Sequence, residues 1–207
     1  MLITHKHINE NFEYDGSQIE GSWAFKSFGI KGSSIVTWIG SMNISSENLK
    51  DFEDIGLEIK SNNMLHFIIE HFDQQPANLR IAYMRQRIFV MILKEELAKK
   101  GIGSIRKGDD IYIDFNGLKK LTVSIATVSP STMKIHCGIN LTSVGTPDDV
   151  DTIGLFELTT SNISTTDVSS TAHPIIDSID YFISDVVNNY INELNDIELD
   201  ISKTKLL

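Results

Sequence analysis

The stretch Gly108–Thr142 constrains the fold of this 207-residue chain most, because it contains three strand-like runs separated by two turn signals. Asn116-Gly117 lies between the runs Ile111–Phe115 and Leu118–Val128. This dipeptide favours a tight hairpin, because both residues tolerate the positive φ that two-residue hairpin turns require. A Ser-Pro-Ser turn then precedes a third run, Lys134–Leu141. The stretch therefore predicts a small antiparallel unit.

The side chains of these runs can be sorted into faces, because neighbours along a strand point in opposite directions. We place Leu121, Val123 and Ile125 on the core face of the middle run, and Cys137 with its apolar neighbours on the core face of the third. The opposite faces then share small and polar residues: Lys120, Thr122, Ser124, His136, Gly138 and Asn140. This pattern predicts the floor of a polar pocket, and the alternative is an ordinary solvated face of an antiparallel sheet.

The order of these motifs resembles the core of the biotin and lipoate protein ligases and the octanoyltransferases. The shared order is GDD, a hairpin, KLTVSIA, a turn and IHCGINL. More narrowly, YDGSQ, MLHFIIEHFD, RQR and LTVSIATVSP resemble an archaeal family known as domain of unknown function 366. The resemblance to the ligases implies an α+β fold, with a mixed, mainly antiparallel sheet backed by helices.

The same resemblance implies roles for particular residues. Lys120 would be the catalytic residue, holding the carboxyl or acyl-phosphate end of a bound acid, and Asp109-Asp110 would lie toward a nucleotide or phosphate. ATP with magnesium is left open as a cofactor. Two features of those families are missing here: no glycine occurs between Gly56 and Gly101, and no cysteine follows the third run. Arg85 and Arg87 are candidates to replace the glycine-rich loop.

Composition favours one domain covering residues 1–207, with 41% apolar residues and no run long enough to span a bilayer. We expect a soluble, cytoplasmic protein and leave a homodimer open. The net charge of −10 argues against general nucleic-acid binding, which depends on neutralising phosphates. Charge is uneven, with eight basic residues in Leu79–Lys107 and none in Ile135–Ser202. The basic segment could favour an anionic ligand, or both segments could be solvated faces.

Outside the central stretch the pattern predicts three further strands and several helices. Strands are expected near Ile3–Ile8 and Ser34–Ile39, with a weaker one at Ile153–Leu158. Helical spacing over Leu79–Lys100 predicts a long helix that ends at Gly101. The remaining predicted helices are a short one after Ser45, one from Asn62 or Asn63 through Phe72, and an amphipathic one beginning at Pro174.

The segment MLHFIIEHFD offers a second candidate site. If it is a helix, His66 and Glu70 share a face, and such side chains can hold a metal ion; packing on the helix is the simpler interpretation. Cys137 is the only cysteine and falls on an apolar face, which argues against a nucleophile.

Three functions follow from these patterns. The first is a ligase- or acyltransferase-like protein that binds a small carboxylic acid or its activated acyl form, with Lys120 as anchor. The second is a non-catalytic ligand-binding or regulatory module of the same fold. The third, less favoured, is a metal-dependent enzyme using His66 and Glu70.

Overall fold

The computed structural model describes residues 2–158 and 179–205, which form two β-sheets and three α-helices. The larger sheet has the order β1-β2-β3-β8-β7 and the smaller one the order β4-β5-β6. Among the strands of the described residues, β1 and β2 pair in parallel and the other strand pairs are antiparallel. The predicted α+β class with a mainly antiparallel sheet is confirmed. The strands are β1 Ile3–Ile8, β2 Ser33–Asn43, β3 Lys60–His71, β4 Ile105–Lys107, β5 Asp110–Asp114, β6 Leu118–Lys120, β7 Thr122–Val128 and β8 Met133–Asn140; the helices are α1 Trp23–Phe28, α2 Leu79–Lys99 and α3 Ile179–Lys203.

Strand β3 is buried on both faces, which makes it the centre of the core. Leu65 and Phe67 face the side covered by α2 and α3, whereas Met64 and Ile68 face a second cluster around Tyr14 and its neighbours. A strand covered on both sides carries a continuous apolar run, and such a run lacks the alternation typical of a half-exposed strand. The prediction of a helix from Asn62 or Asn63 through Phe72 is therefore wrong.

Helix α2 matches the predicted long helix closely. Asn78 caps its first turn, because the side-chain oxygen accepts a hydrogen bond from the Ile81 N–H at 3.1 Å. Gly101 follows the last turn with φ +78°, a conformation that suits glycine. The buried face carries residues such as Phe89 and Leu93, whereas Met84 is 56% exposed.

Two other predicted elements differ from the structure. The helix expected after Ser45 is replaced by two short 3₁₀ turns, Ser46–Asn48 and Phe52–Asp54. The strand expected at Ile153–Leu158 is instead a 3₁₀ turn at Leu155–Glu157. The last amphipathic helix is confirmed from Ile179 onward, and its predicted start at Pro174 lies outside the described residues.

The central hairpin is confirmed, but its turn is longer and the run after it is split. Asp114 pairs with Leu118, so the turn has three residues, with positive φ at Asn116 and Gly117. The chain then leaves the small sheet after Lys120, and it enters the large sheet as β7. This split at Leu121 places Lys120 where the two sheets meet.

Candidate functional site

A cavity of about 390 Å³ opens where the small sheet meets the ends of β7 and β8. The connection between β2 and β3 and the segment 146–152 complete its walls. Six of the residues that the sequence singles out line it: Asp109, Asp110, Lys120, Ser124, His136 and Asn140. Thr122 and Gly138, also singled out, are not part of the described wall.

The backbone N–H and carbonyl groups of Lys120 are both hydrogen-bonded to the segment after β8. Its N–H donates to the Asp151 carbonyl at 2.7 Å, and its carbonyl accepts from the Ile153 N–H at 3.1 Å. Its Nζ lies 2.8 Å from Asp110 Oδ2, and 25% of the lysine side chain is exposed. Burial raises the pKa of Asp110, and the Lys120 ammonium opposes that rise. The lysine is thus a fixed cation that already has a carboxylate partner.

Asp109 is bonded from α2 and from β7. Arg87 Nη1 lies 2.7 Å from Asp109 Oδ1, and Gln86 Nε2 donates to Oδ2 at 2.9 Å. The Ser124 hydroxyl also bonds to Oδ2, at 3.2 Å. Burial alone would raise the pKa of Asp109, but the bonds from Arg87 and Ser124 hold it below its usual value. Asp109 therefore stays ionised.

Of the two arginines proposed as a substitute grip, only Arg87 reaches this site. Arg85 instead makes a two-pronged ion pair with Asp73, at 2.7 and 2.6 Å. Asp73 and Arg85 lie outside the cavity wall. The suggestion that Arg85 grips the ligand is therefore wrong for this structure.

His136 lies in a stack of rings behind the cavity. Its ring is 3.7 Å from that of Tyr14, and its Nε2 is 3.1 Å from His66 Nδ1. His66 Nε2 lies 3.3 Å from the Gly40 carbonyl oxygen. Because that oxygen only accepts, a neutral His66 donates from Nε2 and accepts from His136 at Nδ1. His136 then carries its proton on Nε2 and keeps Nδ1 as an acceptor.

Burial keeps both rings neutral. It lowers the pKa of His66 to about 4 and the pKa of His136 well below the usual value.

Asn140, only 3% exposed, lies two residues beyond Gly138 on the same face as His136. Its side-chain oxygen accepts from the Ser61 hydroxyl at 3.2 Å.

The predicted common face of β7 and β8 is wrong. In the observed register Ser124 pairs with Cys137 and Ile125 pairs with His136, so Ser124 and Thr122 lie on the helix side. Thr122 is fully buried, and its hydroxyl accepts from the Ile111 N–H at 2.8 Å, tying the two sheets together. Ser124 nevertheless lines the cavity, from β7 at the edge of the large sheet.

Gly138 and Cys137 have packing roles in this structure. A Cβ on Gly138 would lie 2.8 Å from the terminal methyl of the Met64 side chain, which would have to move to admit it. Cys137 lies on an apolar core face, as predicted, and is fully buried; in the structure this face is the one covered by the helices. Burial raises the pKa of its thiol.

The metal hypothesis fails on geometry. His66 and Glu70 lie on a strand, not a helix, so four residues separate them by roughly 13 Å. Glu70 lies 3.5 Å from the buried Lys134 ammonium and accepts a bond from the Ser22 N–H. Within residues 2–158 and 179–205 there is no group of three His, Cys, Asp or Glu side chains arranged to hold a metal ion.

Sequence reasoning did not assign the acidic part of the wall to this pocket. Asp51, Glu53, Asp54 and Glu58 come from the β2–β3 connection, and Asp149 comes from the opposite wall. The density of acidic residues after Glu47 could have indicated a charged wall, but a helix was expected there.

None of the described helices is long and apolar enough to cross a membrane.

The class of protein follows from two solved structures of low sequence identity. The apo structure of biotin protein ligase from Aquifex aeolicus matches 94% of this chain and 70% of its own, with a TM-score of 0.54 at 13% identity. Protein Ta0514 from T. acidophilum, provisionally described as a lipoate protein ligase and solved with lipoic acid, matches 93% of this chain and 85% of its own, with a TM-score of 0.53 at 14% identity. The chain therefore has the biotin and lipoate protein ligase fold.

The particular family follows from more similar proteins. The model of domain of unknown function 366 matches residues 3–205, and the chain belongs to that family. Uncharacterised protein MJ0805 of Methanocaldococcus jannaschii is 37% identical over 203 residues, which cover 95% of this chain and 82% of that protein. A protein of unknown function from Pyrococcus horikoshi is 34% identical, with a TM-score of 0.83 and complete coverage of both chains.

Proposed function

We propose that this protein binds a small carboxylic acid, or its activated acyl form, in the cavity at Lys120, as a ligase- or acyltransferase-like protein. The observation that carries this proposal is the placement of Lys120. Its backbone is bonded on both sides, and its ammonium group lines a cavity with buried polar side chains. The fold, shared with biotin and lipoate ligases, supports the same class of ligand.

Lys120 would act by electrostatics. A carboxylate or developing oxyanion beside its ammonium group is stabilised more strongly in a partly dry cavity than in water, and the fixed backbone limits reorganisation. His136 Nδ1 and the side-chain amide of Asn140 would orient the rest of the ligand. Thr122 has no part in this role, because its hydroxyl is bonded to the backbone of Ile111 away from the cavity.

The side-chain charges of the cavity wall are unfavourable for a nucleoside triphosphate. Its wall carries seven carboxylates and only two lysines, and carboxylates repel a polyphosphate. We therefore derive no step through ATP. Asp109 and Asp110, which the family resemblance assigned to the phosphate side, are already paired with Arg87 and Lys120.

A non-catalytic binding module is the second candidate, and the position of Cys137 favours it. The only cysteine in the sequence faces the helix-side core, where burial raises the pKa of its thiol. A thiolate therefore does not reach the cavity to form an acyl intermediate. Measuring acyl transfer from an octanoyl thioester, and pyrophosphate release from ATP with acid, separates the two candidates.

The proposal is tested by thermal shift with octanoate, lipoate and biotin. A bound acid at a hundred times its dissociation constant stabilises the protein by about 2.7 kcal/mol, so the midpoint should rise by several degrees. The Lys120→Ala variant should lose this shift. Lys119→Ala is the matched control, because Lys119 is the neighbouring residue and lies outside the cavity wall, 5.8 Å from the Phe115 ring.

Three results would be informative. A shift that survives in Lys120→Ala would contradict the proposal. A shift that Lys120→Ala abolishes while Lys119→Ala keeps it would support the proposal. The absence of a shift with any acid at millimolar concentration would remove carboxylic acids of this class as ligands.

A further inference from the structure

The cavity is strongly acidic for a site expected to hold an acid. Two lysines line it, Lys60 and Lys120. The carboxylates that line it outnumber them and come from three different segments: Asp51, Glu53, Asp54, Glu58, Asp109, Asp110 and Asp149. A simple carboxylate would therefore enter a region of the same sign of charge.

Four of these carboxylates lack a cationic partner among the described residues. Asp109 pairs with Arg87, Asp110 with Lys120, and Glu58 with Lys60 at 2.5 Å. The remaining four form no ion pair within residues 2–158 and 179–205: Asp51, Glu53, Asp54 and Asp149. The cavity therefore keeps an excess of negative charge after every internal pair is formed.

The Asp54 carboxylate interacts electrostatically with a neighbouring carboxylate, Asp51, and with the Lys120 ammonium group. Burial raises the pKa of Asp54, Asp51 raises it further, and Lys120 lowers it. Lys120 is thus flanked by Asp110 on one side and by the field of Asp54 on another. A carboxylate ligand can reach this ammonium group only in competition with carboxylates already present.

Buried polar side chains line the same cavity as the acidic wall. Asn140 and His136 line the same space and are 3% and 2% exposed. Within the described part of the chain, the Asn140 side-chain nitrogen has no hydrogen-bond partner, while its oxygen is bonded to Ser61. A free amide donor in the same cavity as Lys120 suits a carboxyl or acyl oxygen of the ligand.

We infer that the ligand is a zwitterion, which carries a positively charged amino group as well as the carboxyl or acyl group held at Lys120. This inference rests on the proposed function and adds the second charge. The amino group of the ligand forms ion pairs with the carboxylates around Asp110 and Asp54, and the carboxylate of the ligand pairs with Lys120. Lys120 and Asp110 each keep a partner of opposite charge in this exchange, whereas a simple acid that pairs with Lys120 would leave Asp110 unpaired.

Isothermal titration at low ionic strength with four chain-matched compounds tests the inference. The compounds are octanoate, octylammonium, 2-aminooctanoate and 8-aminooctanoate, so that the amino group lies near or far from the carboxylate. At least one of the two amino acids should bind about ten-fold more tightly than both octanoate and octylammonium, the effect of one added charge contact. Added salt should reduce that difference.

A variant pair locates the effect. Asp54→Asn should reduce the preference for the amino acid over octanoate several-fold, because one carboxylate of the wall is removed. Glu47→Gln is the control, because Glu47 is exposed and lies outside the cavity wall in the same connection. Loss of the preference in Asp54→Asn alone supports the assignment.

The outcomes separate this inference from the proposed function. Octanoate binding as tightly as either amino acid, with loss in Lys120→Ala, overturns the zwitterion and leaves the proposed function standing. Octanoate that reaches the affinity of the amino acids only with magnesium overturns it in favour of a metal ion in the acidic wall. Binding of octylammonium alone, unchanged in Lys120→Ala, overturns both.

Discussion

Three histidines in the core are neutral because burial lowers their pKa values. The value falls to about 4 for His66 and to about 3 for His71, where the Arg85 charge adds to burial, and it falls well below the usual value for His136. His71 Nε2 is 2.9 Å from the Tyr190 hydroxyl, on the face opposite His66. The unfolded chain binds protons at these residues near pH 6.5, whereas the folded chain does not.

We predict that the free energy of unfolding falls as the pH drops below about 6.5. Between pH 4 and 6.5 the unfolded state binds more protons, so stability rises with pH in this window and is fully present above it. Each of these histidines should contribute a loss of about 2 kcal/mol between pH 7 and pH 5. Urea unfolding at several pH values measures this loss.

His71→Gln is the variant that assigns part of this dependence to one residue. Glutamine is neutral at every pH and can still bond to Tyr190. The variant should show a shallower slope of unfolding free energy against pH than the wild type. Equal slopes in both proteins would mean that His71 is protonated in the folded state.

Single residues of the site were predictable to different degrees. Lys120, Asp109, Asp110, His136 and Asn140 were selected from the sequence, and the structure brings them to one cavity. The orientation of the two faces of β7 was not predictable from the sequence, because the Thr122 and Ser124 hydroxyl groups form hydrogen bonds with residues distant in sequence. A period of two identifies which residues share a face, but not which face meets a helix.

At the scale of elements, the connection after β8 positions Lys120. Thr152 forms an isolated bridge with Lys120, and Gly154 follows two residues later. A Cβ on Gly154 would lie 2.3 Å from Thr142 Cα and 2.4 Å from the Leu141 carbonyl carbon. Both contacts are with backbone atoms, so a neighbouring side chain cannot turn away to relieve them.

We predict that Gly154→Ala destabilises the protein by about 1–3 kcal/mol or more, because the backbone around Leu141 must shift. Ligand binding at Lys120 should weaken as well, since the same segment bonds its peptide unit. Gly103→Ala is the control, because Gly103 is exposed and nothing lies within 4 Å of its added Cβ. Denaturant unfolding that gives equal stabilities for the two variants would contradict this account of the connection.

Elements were predictable where one face alone is buried. The amphipathic helices α2 and α3 followed from their spacing, and the β5–β6 hairpin followed from Asn116-Gly117. Strand β3 did not, because a run that is apolar on both faces suits a buried strand or a buried helix equally. His66 and Glu70 share a face at a spacing of four in either structure, but they lie roughly 13 Å apart on a strand and only about 6 Å apart on a helix, so the metal hypothesis depended on the wrong choice.

At the scale of the whole molecule, the charge segregation along the sequence is partly neutralised by folding. Cations of α2 and of its C-cap pair with acidic residues from other parts of the chain, including Arg87 with Asp109, and Lys100 with Asp185 of α3 at 3.8 Å. The basic segment therefore reaches the cavity only through Arg87. The sequence offered Arg85 and Arg87 equally as candidates, and it could not separate them, because ion pairing depends on how the helices and sheets pack together.

The central claim is that Lys120 holds the carboxyl group of a ligand in the acidic cavity. A crystal structure with the acid that gives the largest thermal shift tests this most directly. We predict a ligand carboxylate oxygen about 2.8 Å from Lys120 Nζ, and a separation from Asp110 longer than the present 2.8 Å. A ligand bound elsewhere, with Lys120 still paired to Asp110, would contradict the claim.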